Sequence, residues 1–317
     1  MYEAEATVKD INTGNKNRLR IILKVLAAAI ILVIIVIKVD AASIFSAYKS
    51  SIKLLILCAF SLSFVNIYIQ YLKWKLVCNS LLLEYNRKKI LLSLFYGFSA
   101  GSFTPARVGE YFGRAVPLSD KPLMQTTGAV VVDKIFSLAV VLLIGSVSFL
   151  FYLNFTWGMI ALIIVPGLFI LFFTSTFSES IKHKLLDRLL RYKKFSKLNS
   201  IISALNHTGS EFGIKLTFLS VLFYICFIIQ YSILVMAFTN HFEVFNYLWT
   251  GNLVMFTKTI IPAVTFGELG IREGASVYFL KHFGEPAAAG FNASIFLFLI
   301  NILLPALAGL ILFIKRK

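Results

Sequence analysis

The sequence predicts an all-α polytopic membrane protein, with about six full spans plus two re-entrant or broken hairpins arranged as an inverted-topology repeat. Three observations predict it. The 317 residues are 58% hydrophobic and 15% charged, with a mean hydropathy of +0.83. Soluble domains run at about 45–50% apolar and about 25% charged, so no water-soluble core could bury this much apolar surface behind so little charge. The apolar residues gather in runs near the bilayer-crossing length of about 20 residues. The 31 Lys and Arg, which exceed the 15 Asp and Glu by 16 charges, collect between those runs, as cytoplasmic loops do. That distribution makes nucleic acid an unneeded explanation for the basic charge. A soluble enzyme, a disordered chain and a fibrous repeat are all excluded. Cys58, Cys78 and Cys226 make neither a metal-ligand spacing nor a disulfide framework. The sequence asks for no cofactor and no metal.

The elements follow in order. A tail, residues 1–18, precedes a single transmembrane domain, 19–314, whose repeats are 19–156 and 157–314. Spans are expected at 19–38, 53–72, 128–150, 214–239 and 287–314, with a shorter uncharged one at 157–173. The first starts too late and runs too long for a cleavable signal peptide. The N-terminus (Lys9, Lys16, Arg18, Arg20), the 73–89 loop (Lys73, Lys75, Arg87, Lys88, Lys89), the 174–213 loop with seven basic residues, and the tail 315–317 are expected in the cytoplasm. Residues 151–156 and 240–246 hold no Lys or Arg and are expected outside. Both termini then face the cytoplasm, across the cell membrane. The 174–213 loop reads either as an amphipathic segment lying on anionic lipid or as a solvated loop.

Two apolar stretches are interrupted. Residues 90–104 are rich in Gly and Ser and stop at Pro105; residues 247–265 carry Gly251, Lys258 and Pro262. Residue 89 is inside and 151 outside, and the span 128–150 already makes that crossing. So 90–126 must begin and end inside. By the same count 247–286 begins and ends outside. Hairpins held within the membrane satisfy this parity; so do pairs of short spans or surface loops. Span, span, broken hairpin, span, repeated from the opposite side, is the layout of transporters that bind substrate at their broken segments.

The hairpins carry related motifs. Pro105, Arg107, Gly109, Glu110, Gly113 and Arg114 stand in the first; Pro262, Gly267, Glu268, Gly270, Arg272, Glu273 and Gly274 stand in the second. Both contain Gly-Glu-x-x-x-Arg a few residues after a proline. Proline ends a helix and glycine permits the tight backbone beyond it. Pro105, Gly109, Pro262, Gly267, Gly270 and Gly274 are the expected hairpin-shaping residues. A new helix beginning there would offer N–H groups to an anion. Glu and Arg at i, i+4 share a helical face, either as internal ion pairs or as ligand contacts. Arg107 has no evident local partner. Asp133-Lys134 lies early in the next span. It reads as an interfacial pair whose lysine snorkels outward, or as a carboxylate facing the hairpin and pairing with Arg107 or Arg114. The run Gly97-Phe98-Ser99-Ala100-Gly101 matches a nucleophile-elbow pattern without its strand–turn–helix context. Close packing of small residues explains it better.

At these residues the chain resembles the lysylphosphatidylglycerol synthase transmembrane region family, the flippase-like half of the multiple peptide resistance factor. The resemblance spans about residues 19–314. Its first signature is met by Pro105, Arg107, Gly109, Glu110 and Arg114, its acidic-basic pair by Asp133-Lys134, and its second signature by Pro262, Gly270, Arg272, Glu273 and Gly274. Where the family usually has a further glycine, this chain has Glu268, so Arg272 and Glu273 carry the correspondence. The resemblance implies translocation of a lipid between leaflets. No polar segment is long enough for a soluble aminoacyl transferase.

The resulting expectation is a non-enzymatic lipid transporter. Arg107, Arg114 and Arg272 would hold a lipid phosphate; Glu110, Asp133 and Glu273 would balance their charge. Membrane lipids, anionic or polyprenyl-phosphate-linked, are the expected partners. Two other readings stand beside it: a non-transporting subunit presenting a lipid-linked sugar to an envelope glycosyltransferase, and an intramembrane lipid-phosphate enzyme.

Overall fold

The structure is a computed structural model that describes residues 33–104, 107–177, 210–261 and 269–315. Pro105, Pro262, Gly267 and Glu268 lie outside the described residues, as do the tail 1–18, most of the first span and most of the 174–213 loop. The described chain is helical, without a strand. Residues 33–39 are helical and lead to α1 (Ala41–Ser50). Asp40 caps α1 by accepting the Ser43 N–H at 3.0 Å, and the Ser43 hydroxyl with two backbone N–H groups holds its carboxyl below the usual range. Then follow α2 (Lys53–Leu81), α3 (Arg87–Ser102), α4 (Gly109–Ala115), a 3₁₀ turn (Val116–Leu118), α5 (Leu123–Leu153), α6 (Phe155–Phe177), α7 (Ser210–Thr239), α8 (Val244–Ile260), α9 (Ile271–His282), α10 (Ala287–Phe298), a π-helical segment (Leu299–Leu303) and α11 (Leu304–Ile314).

Four helical stretches are long and apolar enough to cross a membrane: Lys53–Leu81, Leu123–Leu153, Glu211–Thr239 and Ala287–Ile314. They fall where spans are expected at 53–72, 128–150, 214–239 and 287–314. The apolar stretch expected at 157–173 lies within α6. Phe64, Tyr68, Ile135, Leu138, Phe218 and Ile311 project outward. So large an apolar exterior suits hydrocarbon, not water. One boundary differs with consequence. α2 does not end near residue 72 but continues to Leu81, so Lys73 is not in a cytoplasmic loop: it is buried, 3% exposed.

In each interrupted stretch a helix is followed by a shorter helix packed back on it, α3 by α4 and α8 by α9. Glycine makes the first fold possible. A Cβ on Gly113 would stand 2.5 Å from the Tyr96 carbonyl oxygen, and one on Gly109 2.3 Å from that of Ala100. Gly97 and Gly101 on α3 answer them from the other side, facing Arg114 and Glu110. The Gly-x-Ser-x-Gly run is therefore a packing surface. Thr104 shapes the turn, its hydroxyl accepting the Gly109 N–H at 2.7 Å.

The two parts of the chain interlock. α2 packs on α7; α3 packs on α11, and α8 packs on α5. Gly309 lets the Phe95 backbone approach α11, and Gly145 lets the Phe256 side chain approach α5. The Tyr96 hydroxyl donates to the Leu312 carbonyl at 3.2 Å, and the Trp249 indole to the Ser148 carbonyl at 3.0 Å. Asn292, on α10, donates to the Ile44 carbonyl of α1 at 2.9 Å.

A methyl at residue 309 would stand 2.1 Å from the Phe95 oxygen, whereas one at residue 167 meets nothing within 4 Å. Gly309→Ala should therefore destabilise the protein by about 1–3 kcal/mol and lower its melting temperature in detergent. Gly167→Ala should not.

Candidate functional site

The site begins with Arg114. Its side chain is 2% exposed and could not stay buried as a charge without partners. It has two. One guanidinium nitrogen donates to Glu110 Oε1 at 2.6 Å, one turn earlier on α4; another donates to Asp133 Oδ2 at 3.0 Å on α5. The guanidinium lies over the Trp74 ring of α2, 4.5 Å from its centre. Trp74 donates to Ser93 Oγ at 3.1 Å, and Ser93 donates to the Arg114 carbonyl at 2.5 Å. Helices α2, α3, α4 and α5 thus meet on one cation.

Three further cations join. Lys73 pairs with Asp133 at 3.2 Å. Lys134 and Arg107 both reach Glu110 Oε2, at 2.8 and 3.3 Å. Arg107 is therefore not without a local partner: a left-handed backbone, φ 55°, turns it back onto Glu110. Nor does Lys134 snorkel away. Asp133 faces the hairpin, paired with Arg114. Among the described residues the cluster holds four cations (Lys73, Arg107, Arg114, Lys134) and two carboxylates (Glu110, Asp133), an excess of two positive charges. Outside the cluster, the Lys89 ammonium donates to Asp120 at 3.2 Å and holds that carboxyl below its usual range.

The cluster walls a cavity of about 430 Å³ between α2, the first hairpin, α5, α7, α8 and the π-helical segment. Asn66, Lys73, Arg107, Arg114, Asp133 and Lys134 line it, and Lys258 and Asn301 line its far side. Val131, Ile135 and Leu138 of α5 also line it, and these are exposed. The cavity therefore has an exposed apolar margin. Lys73 donates to Ser137 as well as pairing with Asp133.

The second motif is built differently. Arg272 and Glu273 are fully buried and pair with each other at 2.6 Å. Arg272 Nε also donates to Ser294 Oγ at 3.0 Å, and Ser294 donates to Glu273 Oε1 at 3.2 Å. Glu273 Oε2 accepts the Gly270 N–H at 2.6 Å, and Gly270 takes φ 93°. This carboxylate thus caps α9 itself. The expected anion-binding helix ends are occupied internally here and in α4, whose first N–H groups go to Thr104 Oγ1 and the Arg107 and Val108 carbonyls. Gly274 lies in the first turn of α9, with no heavy atom nearer than 3.7 Å to a Cβ placed there. The structure does not bring Arg272 and Glu273 to the cavity that Arg107 and Arg114 line.

Sequence reasoning missed Lys73, Trp74, Ser294 and Asn301. Lys73 stands directly after an apolar run and looked like the start of a loop. Asn301 sits in the π-helical segment before Pro305 and donates to Gln230 at 2.8 Å. An Asn deep within an apolar span was the available signal.

An α-helical bundle with four apolar membrane-crossing stretches and a charged, buried cavity defines a membrane-embedded protein. The chain belongs to the lysylphosphatidylglycerol synthase TM region family, whose model matches residues 21–309. That membership makes it a membrane protein of lipid-related function. No curated protein and no solved structure matches the chain.

Asp133→Asn removes a counter-charge from both Arg114 and Lys73. It should cost about 3–5 kcal/mol of stability, as breaking a buried ion pair does, read as a lower melting temperature. Lys73→Met combined with Asp133→Asn should recover part of that loss.

Proposed function

We propose that this protein moves an anionic lipid between leaflets, holding its phosphate in the cavity lined by Arg107, Lys134 and Arg114. One observation carries the reading: a cationic excess walls a cavity whose margin, Val131, Ile135 and Leu138, is apolar and exposed. A phosphate fits the former and acyl chains the latter. Arg107 and Lys134, with side chains 22% and 37% exposed, are the accessible cations and make first contact. Arg114 and Asp133 fix the hairpin against α5 while the outer cations exchange Glu110 for the ligand. Arg272 and Glu273 hold the second hairpin in shape. Binding and reorientation suffice for this work, so the protein is not an enzyme.

The inverted repeat belongs to the same proposal. The matched pairs α2 with α7, α3 with α8, α4 with α9 and α5 with α10–α11 support it, as do the reciprocal contacts of each hairpin with the last span of the other half. The termini lie in the cytoplasm, the hairpins enter the cell membrane from opposite faces, and residues 19–156 and 157–314 are the two repeats. Alternating access then comes from one hairpin yielding as the other closes.

Proteoliposomes containing the protein should translocate a labelled anionic phospholipid faster than protein-free vesicles, and Arg107→Ala/Lys134→Ala should return the rate to the protein-free value. A wild-type protein that moves no lipid defeats the reading; one that retains lipid without moving it fits a subunit presenting lipid to a glycosyltransferase. Topology has its own check. With Cys58, Cys78 and Cys226 replaced, single cysteines at Phe103 and Ile261, both exposed, should react with impermeant thiol reagents from opposite sides of the membrane. Reaction from one side only would remove the inverted repeat.

A further inference from the structure

Resting on the transport reading above, we propose that the cavity selects a lipid phosphomonoester, a dianion such as phosphatidate, over the singly charged phosphodiesters of ordinary phospholipids. Three observations lead there. The first is charge. Within the cluster of Lys73, Arg107, Arg114, Lys134, Glu110 and Asp133, with Lys258 across the cavity left out of the count, the excess is two. A charge left uncompensated within the membrane is costly, so the ligand complementary to this cluster carries two negative charges. A phosphomonoester carries close to two at neutral pH, with three terminal acceptor oxygens; a phosphodiester carries one charge and two free oxygens.

The second is the balance of donors and acceptors. Around the cavity Asn66 Nδ2, Arg107 Nε and Arg114 Nε are N–H donors with no acceptor. Asn66 is fully buried yet lines the cavity. Two acceptors stand beside them, Asp133 Oδ1, which faces the Lys73 ammonium at 3.2 Å, and Asn301 Oδ1. The donors still outnumber the acceptors, and a ligand with acceptors only answers that excess.

The third is the sharing of one oxygen. Arg107 and Lys134 converge on Glu110 Oε2 from the hairpin and from α5. Either cation can leave for a ligand while the other still neutralises Glu110, which also keeps Arg114. Two accessible cations, released from one carboxylate oxygen, form a pincer for a doubly charged phosphate.

The test compares lipids that differ by one methyl group and one charge. The full-length protein in detergent is equilibrated with equal amounts of phosphatidate and phosphatidylmethanol of identical acyl chains, washed, and its retained lipid quantified by mass spectrometry. Phosphatidate should be enriched about tenfold or more, since the extra charge lies within ion-pair distance of the cations. Arg107→Gln and Lys134→Gln should each narrow that ratio; the wild-type ratio decides the matter even if a variant misfolds. Equal retention of the two lipids overturns the proposal and leaves lipid transport standing. Retention of neither, together with no translocation in proteoliposomes, overturns both. Displacement of phosphatidate by glycerol 3-phosphate at comparable concentration supports the phosphomonoester site and assigns its ligand to the aqueous phase.

Discussion

Arg114 is the constraint on which the rest of this structure depends. A guanidinium in the interior of a membrane bundle has no water to turn to. It must be met by carboxylates, and here they come from two directions, Glu110 on its own helix and Asp133 on α5. Once that triad exists, further placements follow. Trp74 of α2 covers the guanidinium face, and Ser93 of α3 ties the same ring to the Arg114 carbonyl. Glu110 and Asp133, each buried, draw in Arg107, Lys134 and Lys73. The cavity is the space these groups leave between them.

That electrostatic knot works only because the backbone around it is close-packed. Gly109 and Gly113 let α4 lie against the carbonyls of α3, and Gly97 leaves room for the Arg114 side chain. A methyl at either α4 position would stand within 2.5 Å of an α3 carbonyl oxygen and force the two helices apart. Charge fixes which side chains meet; the glycines fix how near their helices come. The second hairpin reaches a similar end by other means, with Glu273 serving both as the partner of Arg272 and as the cap of α9.

Much of this was legible in the sequence. Runs of apolar residues between basic clusters located the four long crossing stretches, and the Pro and Gly interruptions marked the two hairpins. Glu110, Arg114 and Asp133 stood out because charge within such runs needs a partner. What was hidden was three-dimensional. Lys73 looked cytoplasmic since hydropathy falls at a lysine whether or not the helix continues. Arg107 looked unpaired because its partner, three residues on, is reached only through a left-handed turn. The pairing of Lys134 with Glu110 spans 24 positions, and the placing of Arg272 away from the cavity depends on how α9 leans on α10; neither leaves a local trace.

The interlocking of the two parts of the chain has a consequence for how such a protein is made and how it changes. α3 is seated on α11, and α8 on α5, so the first hairpin emerges from synthesis with its seat still unmade. Until residue 309 arrives to receive Phe95, that hairpin borders lipid on a face meant for protein. The last helix is therefore a keystone set from below, and its small residues answer to a backbone made some two hundred positions earlier. Neither part can drift in sequence independently, because the wall each needs is carried by the other.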